Sequence, residues 1–173
     1  MSEQKLPEPW LRGTLTDVDP VQRAVLHALQ LAKEDLEHWC GGLTDEQINA
    51  IPAGLPSIAF HLRHIARSMD RLLTYAEGGE LRTDQIAALK AESAVGATRT
   101  QLFAELTSAI ERSAARIRGL DVASLAEPRK VGMKRLPSTV SGLLVHVADH
   151  TQRHVGQAIT TSKVVTAITT NRY

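Results

Sequence analysis

The sequence predicts an all-α protein, a bundle of four long helices. Apolar residues recur with helical spacing in four segments, and no strand pattern extends beyond a few residues. Hydrophobic residues make up 43% of the chain but aromatic residues only 3%, so the core must be mainly Leu, Ala, Val and Ile. Such side chains suit close helix packing. A chain of 173 residues is expected to form one domain over 1–173, with residues 1–18 as an N-terminal arm packed on the bundle.

The first long helix follows this arm. Trp10 and Leu11 in the arm are expected to pack onto the bundle. Asp19 offers an N-cap and Pro20 occupies the favoured first helical position. The helix is predicted to end at the Gly41–Gly42 pair.

Capping motifs also mark the starts of the next helices. A Thr44-x-x-Gln47 capping box predicts a short helix, and Ser57 is expected to cap a second long helix that runs to about Ala76. The polar connector beyond it is predicted to hold a short helix over residues 84–92.

The third and fourth long helices are separated by a segment rich in turn residues. A Thr-x-x-Gln capping box at 98–101 starts the third helix, which is predicted to end at Gly119. Residues 120–137 are predicted to be a loop, and either Ser138 or Thr139 is expected to cap the fourth helix.

Two histidines of the fourth helix, His150 and His154, lie one turn apart on the face that its apolar residues mark for burial. At about 100° per residue, His150 lies just beside the apolar stripe. The stripe itself consists of Val140, Leu144, Val147, Thr151, His154 and Ala158. An i, i+4 pair places both rings on one side of a helix, so their nitrogens can converge on one cation.

The second long helix carries two candidates for a third ligand, His61 and His64. Its apolar stripe consists of Ile58, Leu62, Ile65, Met69, Leu72 and Leu73. By helical angle His61 lies closer to this stripe than His64, so the periodicity alone favours His61.

Three segments resemble the DinB/YfiT-like superfamily, and the resemblance covers nearly the whole chain. They are residues 42–49 (GLTDEQIN), the His-Ile-Ala triplet at 64–66 on the second helix, and residues 146–157 (HVADHTQRHVGQ) on the last helix. The resemblance implies an up-down-down-up four-helix bundle. It also implies a divalent metal held at one end by three side chains.

The resemblance assigns the three ligands to particular histidines. The family's ligand motif on the second long helix falls on His64, and its helix-four pair falls on His150 and His154. We therefore favour His64 over His61 as the third ligand. The metal is expected to be zinc, nickel or a similar divalent ion.

Other metal and thiol sites are not supported by the sequence. Zincins need His-Glu-x-x-His, but Thr151 follows His150. Di-iron bundles need two Glu-x-x-His motifs, and Asp35-x-x-His38 is a single partial match. Cys40 is the only cysteine, so a Cys-rich zinc site is excluded, and we expect a semi-buried structural thiol. The remaining histidines are expected to be structural or surface residues; these are His27, His38, His61 and His146.

Composition limits the classes of partner. The net charge is +1 and no Lys/Arg stripe alternates with aromatic residues, so nucleic-acid binding has no support. No apolar stretch has the length of a membrane span, and no signal-peptide pattern begins the chain. We expect a soluble cytoplasmic protein that acts on a small molecule, and leave a homodimer open.

A site of three neutral imidazoles predicts the chemistry. These ligands leave a divalent ion its full charge, which lowers the pKa of a bound water or thiol. Members of the family that the chain resembles include metal-dependent thiol S-transferases that use low-molecular-weight thiols such as bacillithiol or mycothiol, and others are described as metal-dependent hydrolases. Thiol transfer is the favoured activity because it needs no separate general base. The alternatives are a metal-dependent hydrolase and a non-catalytic metal-binding or interaction module. No further catalytic residue is assigned.

Overall fold

The computed structural model describes residues 6–170 and is mostly helical. Its elements, in chain order, are α1 (Pro20–Cys40), α2 (Asp45–Asn49), α3 (Ile58–Ala76), α4 (Thr83–Lys90), α5 (Arg99–Gly119), β1 (Pro128–Val131), β2 (Leu136–Thr139) and α6 (Val140–Thr170). The four long helices α1, α3, α5 and α6 form the bundle. Both α5 and α6 pack against α1 and α3.

Hydrogen bonds show that α1 and α6 run parallel. Gln152 of α6 donates to the carbonyl of Ala28, and Ser162 of α6 donates to the carbonyl of Trp39. Residue numbers therefore increase together along the two helices. This direction agrees with the first and last helices of an up-down-down-up bundle.

Ion pairs show in the same way that α3 and α5 run parallel. Arg67 of α3 contacts Glu105, and further along α3 Asp70 contacts Arg116. The amide of Gln22, near the start of α1, donates to the carbonyl of Ile117 near the end of α5, so α1 and α5 are antiparallel. The predicted up-down-down-up topology is confirmed.

The predicted helix caps are present. Asp19 accepts hydrogen bonds from the first turn of α1, and Ser57 accepts one from the first turn of α3. The capping boxes that begin at Thr44 and Thr98 are both formed, and they start α2 and α5. Local sequence therefore determines where these helices begin.

The interior consists of aliphatic side chains, as the composition predicts. Leu36, Leu62, Ile65, Met69 and Leu144 are among the fully buried residues, and they come from α1, α3 and α6. They belong to one buried cluster that α5 completes. The histidines that the sequence singled out project from two of these tightly packed helices.

The segment between α5 and α6 differs from the prediction. Residues 120–137 were expected to be a loop, but β1 and β2 pair there as an antiparallel hairpin with Val131 opposite Leu136. The strands are four residues long and half exposed, too short to give a periodic signal. Thr139, rather than Ser138, caps α6 by accepting a hydrogen bond from the amide of Gly142.

The N-terminal arm is held differently from the prediction. Residues Pro9–Leu11 lie against α1, but the side chains of Trp10 and Leu11 are 61% and 57% exposed and are not buried there. The arm is also held by Arg12, which forms a two-pronged salt bridge with Glu34 of α1, and Pro9 is buried. Residues 1–5 of the predicted arm lie outside the described residues.

Candidate metal centre

Three histidines from α3 and α6 meet at one point of the bundle. The Nε2 atoms of His64 and His150 are 3.2 Å apart, across two antiparallel helices. The ring centroid of His154 lies 4.4 Å from that of His64 and 4.6 Å from that of His150. One nitrogen from each of the three residues can be chosen so that all lie within 4.8 Å of one another. The structure thus brings together the three residues that the sequence nominated.

Glu92 fixes the orientation of His64. One carboxylate oxygen of Glu92 lies 2.7 Å from Nδ1 of His64, and the other accepts a hydrogen bond of 2.7 Å from Arg71. Burial raises the pKa of Glu92, but the hydrogen bonds from His64 and Arg71 outweigh this effect, so the pKa lies below its ordinary value. The carboxylate is ionised and can only accept. Nδ1 of His64 therefore carries a proton, and its Nε2 faces His150.

Sequence reasoning missed the role of Glu92. The residue was placed at the end of the short helix predicted over 84–92, whereas α4 ends at Lys90 and Glu92 lies just beyond it. Only 4% of Glu92 is exposed. In the sequence, Glu92 is an acidic residue in a polar connector. Such residues are typically exposed to solvent, so nothing indicated a buried role.

Ser68 orients His150 in a similar way. The hydroxyl of Ser68 donates to the carbonyl of Ile65, and its oxygen lies 3.4 Å from Nδ1 of His150. Since that hydroxyl proton is already used, the oxygen accepts from Nδ1 of His150. The lone pair on Nε2 of His150 is then free and faces His64.

Burial and neighbouring histidines keep the rings of His150 and His154 neutral. Burial lowers the pKa of His150 to about 4, with further lowering by His154 and His64. Burial likewise lowers the pKa of His154 to about 4, with His64 as the next cause. A neutral imidazole has a free lone pair, which is the form that binds a metal ion.

The arrangement fits a divalent cation. The Nε2 atoms of His64 and His150 face each other at 3.2 Å, so both can bind the same cation. Two nitrogens bound to one tetrahedral zinc ion at about 2.0–2.1 Å are about 3.3–3.4 Å apart. A nitrogen of His154 lies within 4.8 Å of a nitrogen of each of the other two histidines.

His61, the competing candidate, lies behind this group. Its Nδ1 atom is 3.1 Å from Nδ1 of His154, and its Nε2 atom has no hydrogen-bond partner. The residue is 2% exposed, and burial together with His154 and His64 lowers its pKa to about 4. His61 therefore contacts a candidate ligand, whereas His64 faces His150 directly.

The remaining candidates lie outside the group of three, although the ring centroid of His146 is 5.4 Å from that of His150. Cys40 is fully buried, more so than the semi-buried thiol that we expected, and burial raises the pKa of its thiol to about 11, which disfavours the thiolate. His27 is buried against Thr14, and His38 packs edge-on against Trp39. His146 lies 3.6 Å from Asp149 on the exposed side of α6.

Comparison with known proteins agrees with this geometry. A model of the DinB superfamily matches residues 28–158, which is more than half of the chain and includes all three histidines. The chain belongs to the DinB superfamily. The search of curated proteins found no match to this chain.

Two solved structures share the fold. A conserved protein from Enterococcus faecalis aligns with a TM-score of 0.70 and 21% identity, over 85% of this chain and 98% of its own. YfiT from Bacillus subtilis aligns with a TM-score of 0.63 and 18% identity, over 82% of this chain and 86% of its own. YfiT is described as a probable metal-dependent hydrolase with an unusual four-helix bundle topology.

The hydropathy of the helices bears on whether the chain could span a membrane. Within residues 6–170, none of the helices is long and apolar enough to cross a membrane. The cytoplasmic location and the homodimer stay predictions.

Proposed function

We propose that His64, His150 and His154 bind one divalent metal ion, which activates a low-molecular-weight thiol for transfer to an electrophilic small molecule. The observation that carries the metal site is the 3.2 Å contact between the two Nε2 atoms of His64 and His150. Glu92 and Ser68 hold the two rings so that these nitrogens, and not the Nδ1 atoms, face each other.

The bound ion would make a thiol or water molecule more acidic. Bound by three neutral imidazoles, it would keep its full charge and lower the pKa of a thiol or water held in an open position. Zinc, nickel and similar ions suit imidazole ligands.

The surroundings of the cluster favour a thiol over water. Glu92 is the carboxylate that hydrogen-bonds the cluster, and both of its oxygens are occupied by His64 and Arg71. It is therefore badly placed to take a proton from water as a general base. A thiolate needs no such base at the moment of attack.

The proposed transfer forms one bond and breaks one. The thiolate sulfur attacks an electrophilic carbon and forms a C–S bond. The leaving group departs with the electrons of the broken bond, and the thiol proton passes to solvent. No oxidant or reductant is required.

A cobalt-substituted sample tests this function. Adding a small thiol to protein loaded with Co²⁺ is expected to produce a sulfur-to-metal charge-transfer band. Because His154 belongs to the ligand set, His154→Ala should remove the band. His38 is exposed and is not one of the three clustered histidines, so His38→Ala should keep it. Absence of the band in the wild-type protein would contradict thiol binding at the metal.

Hydrolysis is the second candidate, since the B. subtilis neighbour is described as a probable metal-dependent hydrolase. In that case an activated ester or amide is turned over without any thiol, at a rate that follows ionisation of metal-bound water near pH ~7. A protein that binds metal but gives neither signal would be the non-catalytic module.

A further inference from the structure

Each of the three candidate ligands has its Nδ1 atom beside another polar side chain. In His64 and His150 this atom donates a hydrogen bond to an oxygen atom, as described above. In His154 it lies 3.1 Å from Nδ1 of His61 on α3. Both atoms of this third contact belong to imidazole rings, so either nitrogen can be the donor.

Metal binding by His154 would fix the direction of this hydrogen bond. Both rings are neutral near neutral pH, because burial lowers the pKa of His61 and that of His154 to about 4, so each ring carries one proton. If His61 donates, the proton of His154 lies on Nε2, and His154 has no free lone pair for a metal ion. If His154 donates from Nδ1, its Nε2 atom has a free lone pair. Only the second arrangement makes His154 a ligand.

Packing alone does not explain a histidine at position 61. The residue is 2% exposed, and its Nε2 atom has no hydrogen-bond partner. A buried polar atom without a partner lowers stability, and a leucine at this position would have no such atom. The Nδ1 atom, by contrast, contacts His154. The polar character of His61 is therefore directed at a candidate metal ligand.

We propose that His61 is a positioning residue, which accepts the Nδ1 proton of His154 and so commits Nε2 of His154 to the metal ion. His61 does not itself bind the ion. Each of the three ligands then has an acceptor for its Nδ1 proton, the arrangement that orients metal-binding histidines in proteins. The inference rests on the metal-binding part of the proposed function and is independent of the thiol.

Zinc affinity tests this role. His61→Leu removes the acceptor and keeps a side chain of similar size, so the affinity for zinc should fall about 10- to 100-fold, measured by competition with a chelating dye. One zinc ion should still bind when zinc is in excess. His27→Leu is the matched control, because His27 is also buried but contacts Thr14 and lies outside the group of three. Unchanged zinc affinity in His61→Leu would overturn the proposal.

A conservative variant separates positioning from packing. Asparagine carries its amide oxygen on Cγ, as histidine carries Nδ1, so His61→Asn keeps an acceptor for the proton of His154. This variant should recover most of the affinity for zinc that His61→Leu loses. An equal loss in both variants would assign the effect to packing and overturn the proposal.

Imidazole ¹⁵N NMR of the zinc-loaded wild-type protein locates the protons without any variant. Nδ1 of His154 should have the chemical shift of a protonated nitrogen, and Nε2 of His154 that of a metal-bound one. In His61 the proton should lie on Nε2, and Nδ1 should be unprotonated. A zinc-bound or unprotonated Nδ1 atom in His154 would overturn the proposal.

These outcomes distinguish the inference from the proposed function. If zinc binds and depends on His61 but no thiol band appears, thiol transfer fails and the role of His61 stands. If zinc binds equally well to the wild-type protein and to His61→Leu, the inference alone fails. A wild-type protein that binds no zinc would overturn the metal site and the role of His61 together.

Discussion

Nδ1 of His64 lies 2.7 Å from a carboxylate oxygen of Glu92, a residue from the connector between α3 and α5. Arg71, two turns after His64 on α3, holds the other oxygen of that carboxylate. Carboxylates that accept a proton from a metal-binding histidine fix its tautomer and make it a better ligand. The connector therefore belongs to the candidate metal centre, although it supplies no ligand.

The first prediction concerns Glu92. Glu92→Gln keeps the shape of the side chain but removes its charge, so His64 should become a poorer ligand. We expect the affinity for zinc to fall about 10- to 100-fold, measured by competition with a chelating dye. Glu105→Gln is the matched control. Glu105 of α5 also pairs with an arginine of α3, Arg67, but it does not contact the three histidines. An unchanged zinc affinity in Glu92→Gln would show that the carboxylate does not support the site.

The second prediction separates His64 from His61. His64→Phe should abolish stoichiometric metal binding, because it removes the ring that faces His150. His61→Phe should still bind metal, because His61 lies behind His154 and not in the group of three. Elemental analysis of both purified variants checks this. Full metal content in His64→Phe with loss in His61→Phe would transfer the third ligand to His61.

The third prediction concerns the pH dependence of stability without metal. His61, His150 and His154 have pKa values of about 4 in the folded protein, against an ordinary value of 6.5. Between these values the unfolded chain binds more protons than the folded one, so stability rises with pH across this window. The free energy of unfolding of the metal-free protein should therefore fall as the pH drops from about 6.5 to about 4.

Urea unfolding at a series of pH values measures this change. The triple variant His61→Phe, His150→Phe, His154→Phe is the control, and its stability should fall less over the same range. An equal fall in both proteins would assign the pH dependence to other groups.

The fourth prediction concerns Gly156. A Cβ atom at this position meets nothing within 4 Å, so Gly156→Ala should remove the glycine penalty without a clash. We expect the free energy of unfolding to rise by about 1 kcal/mol. Gly142→Ala, where the added Cβ meets two hydroxyl oxygens at 3.1 Å, should gain less. A loss of stability in Gly156→Ala would mean that the open space at this turn does not exist.

Local sequence signals account for most of the fold. Caps at Asp19, Ser57 and Thr98 involve residues within a few positions of one another, so they can be recognised without tertiary information. The hairpin of β1 and β2 could not be recognised in this way, because four-residue strands carry too little periodicity. The exposure of Trp10 was missed for a related reason, since hydrophobicity alone does not show where an arm attaches.

The candidate site likewise combines features that local sequence predicts with features that depend on tertiary contacts. The i, i+4 spacing of His150 and His154 is visible in the sequence, and the family motif placed His64 with them. Helical angle alone favoured His61, which is in fact the more buried histidine of α3. The spacing of apolar residues predicts which histidine is buried. Which histidine faces His150 depends on how α3 and α6 pack together. Glu92 and Ser68 act through contacts far apart in sequence, which no local pattern indicates.

Metal content of the purified protein tests the central claim most directly. Elemental analysis should give about one divalent ion per chain in the wild-type protein and in His38→Ala. His64→Ala, His150→Ala and His154→Ala should each lose stoichiometric metal while keeping the helical circular dichroism spectrum. Full metal content in His150→Ala would contradict the three-histidine site.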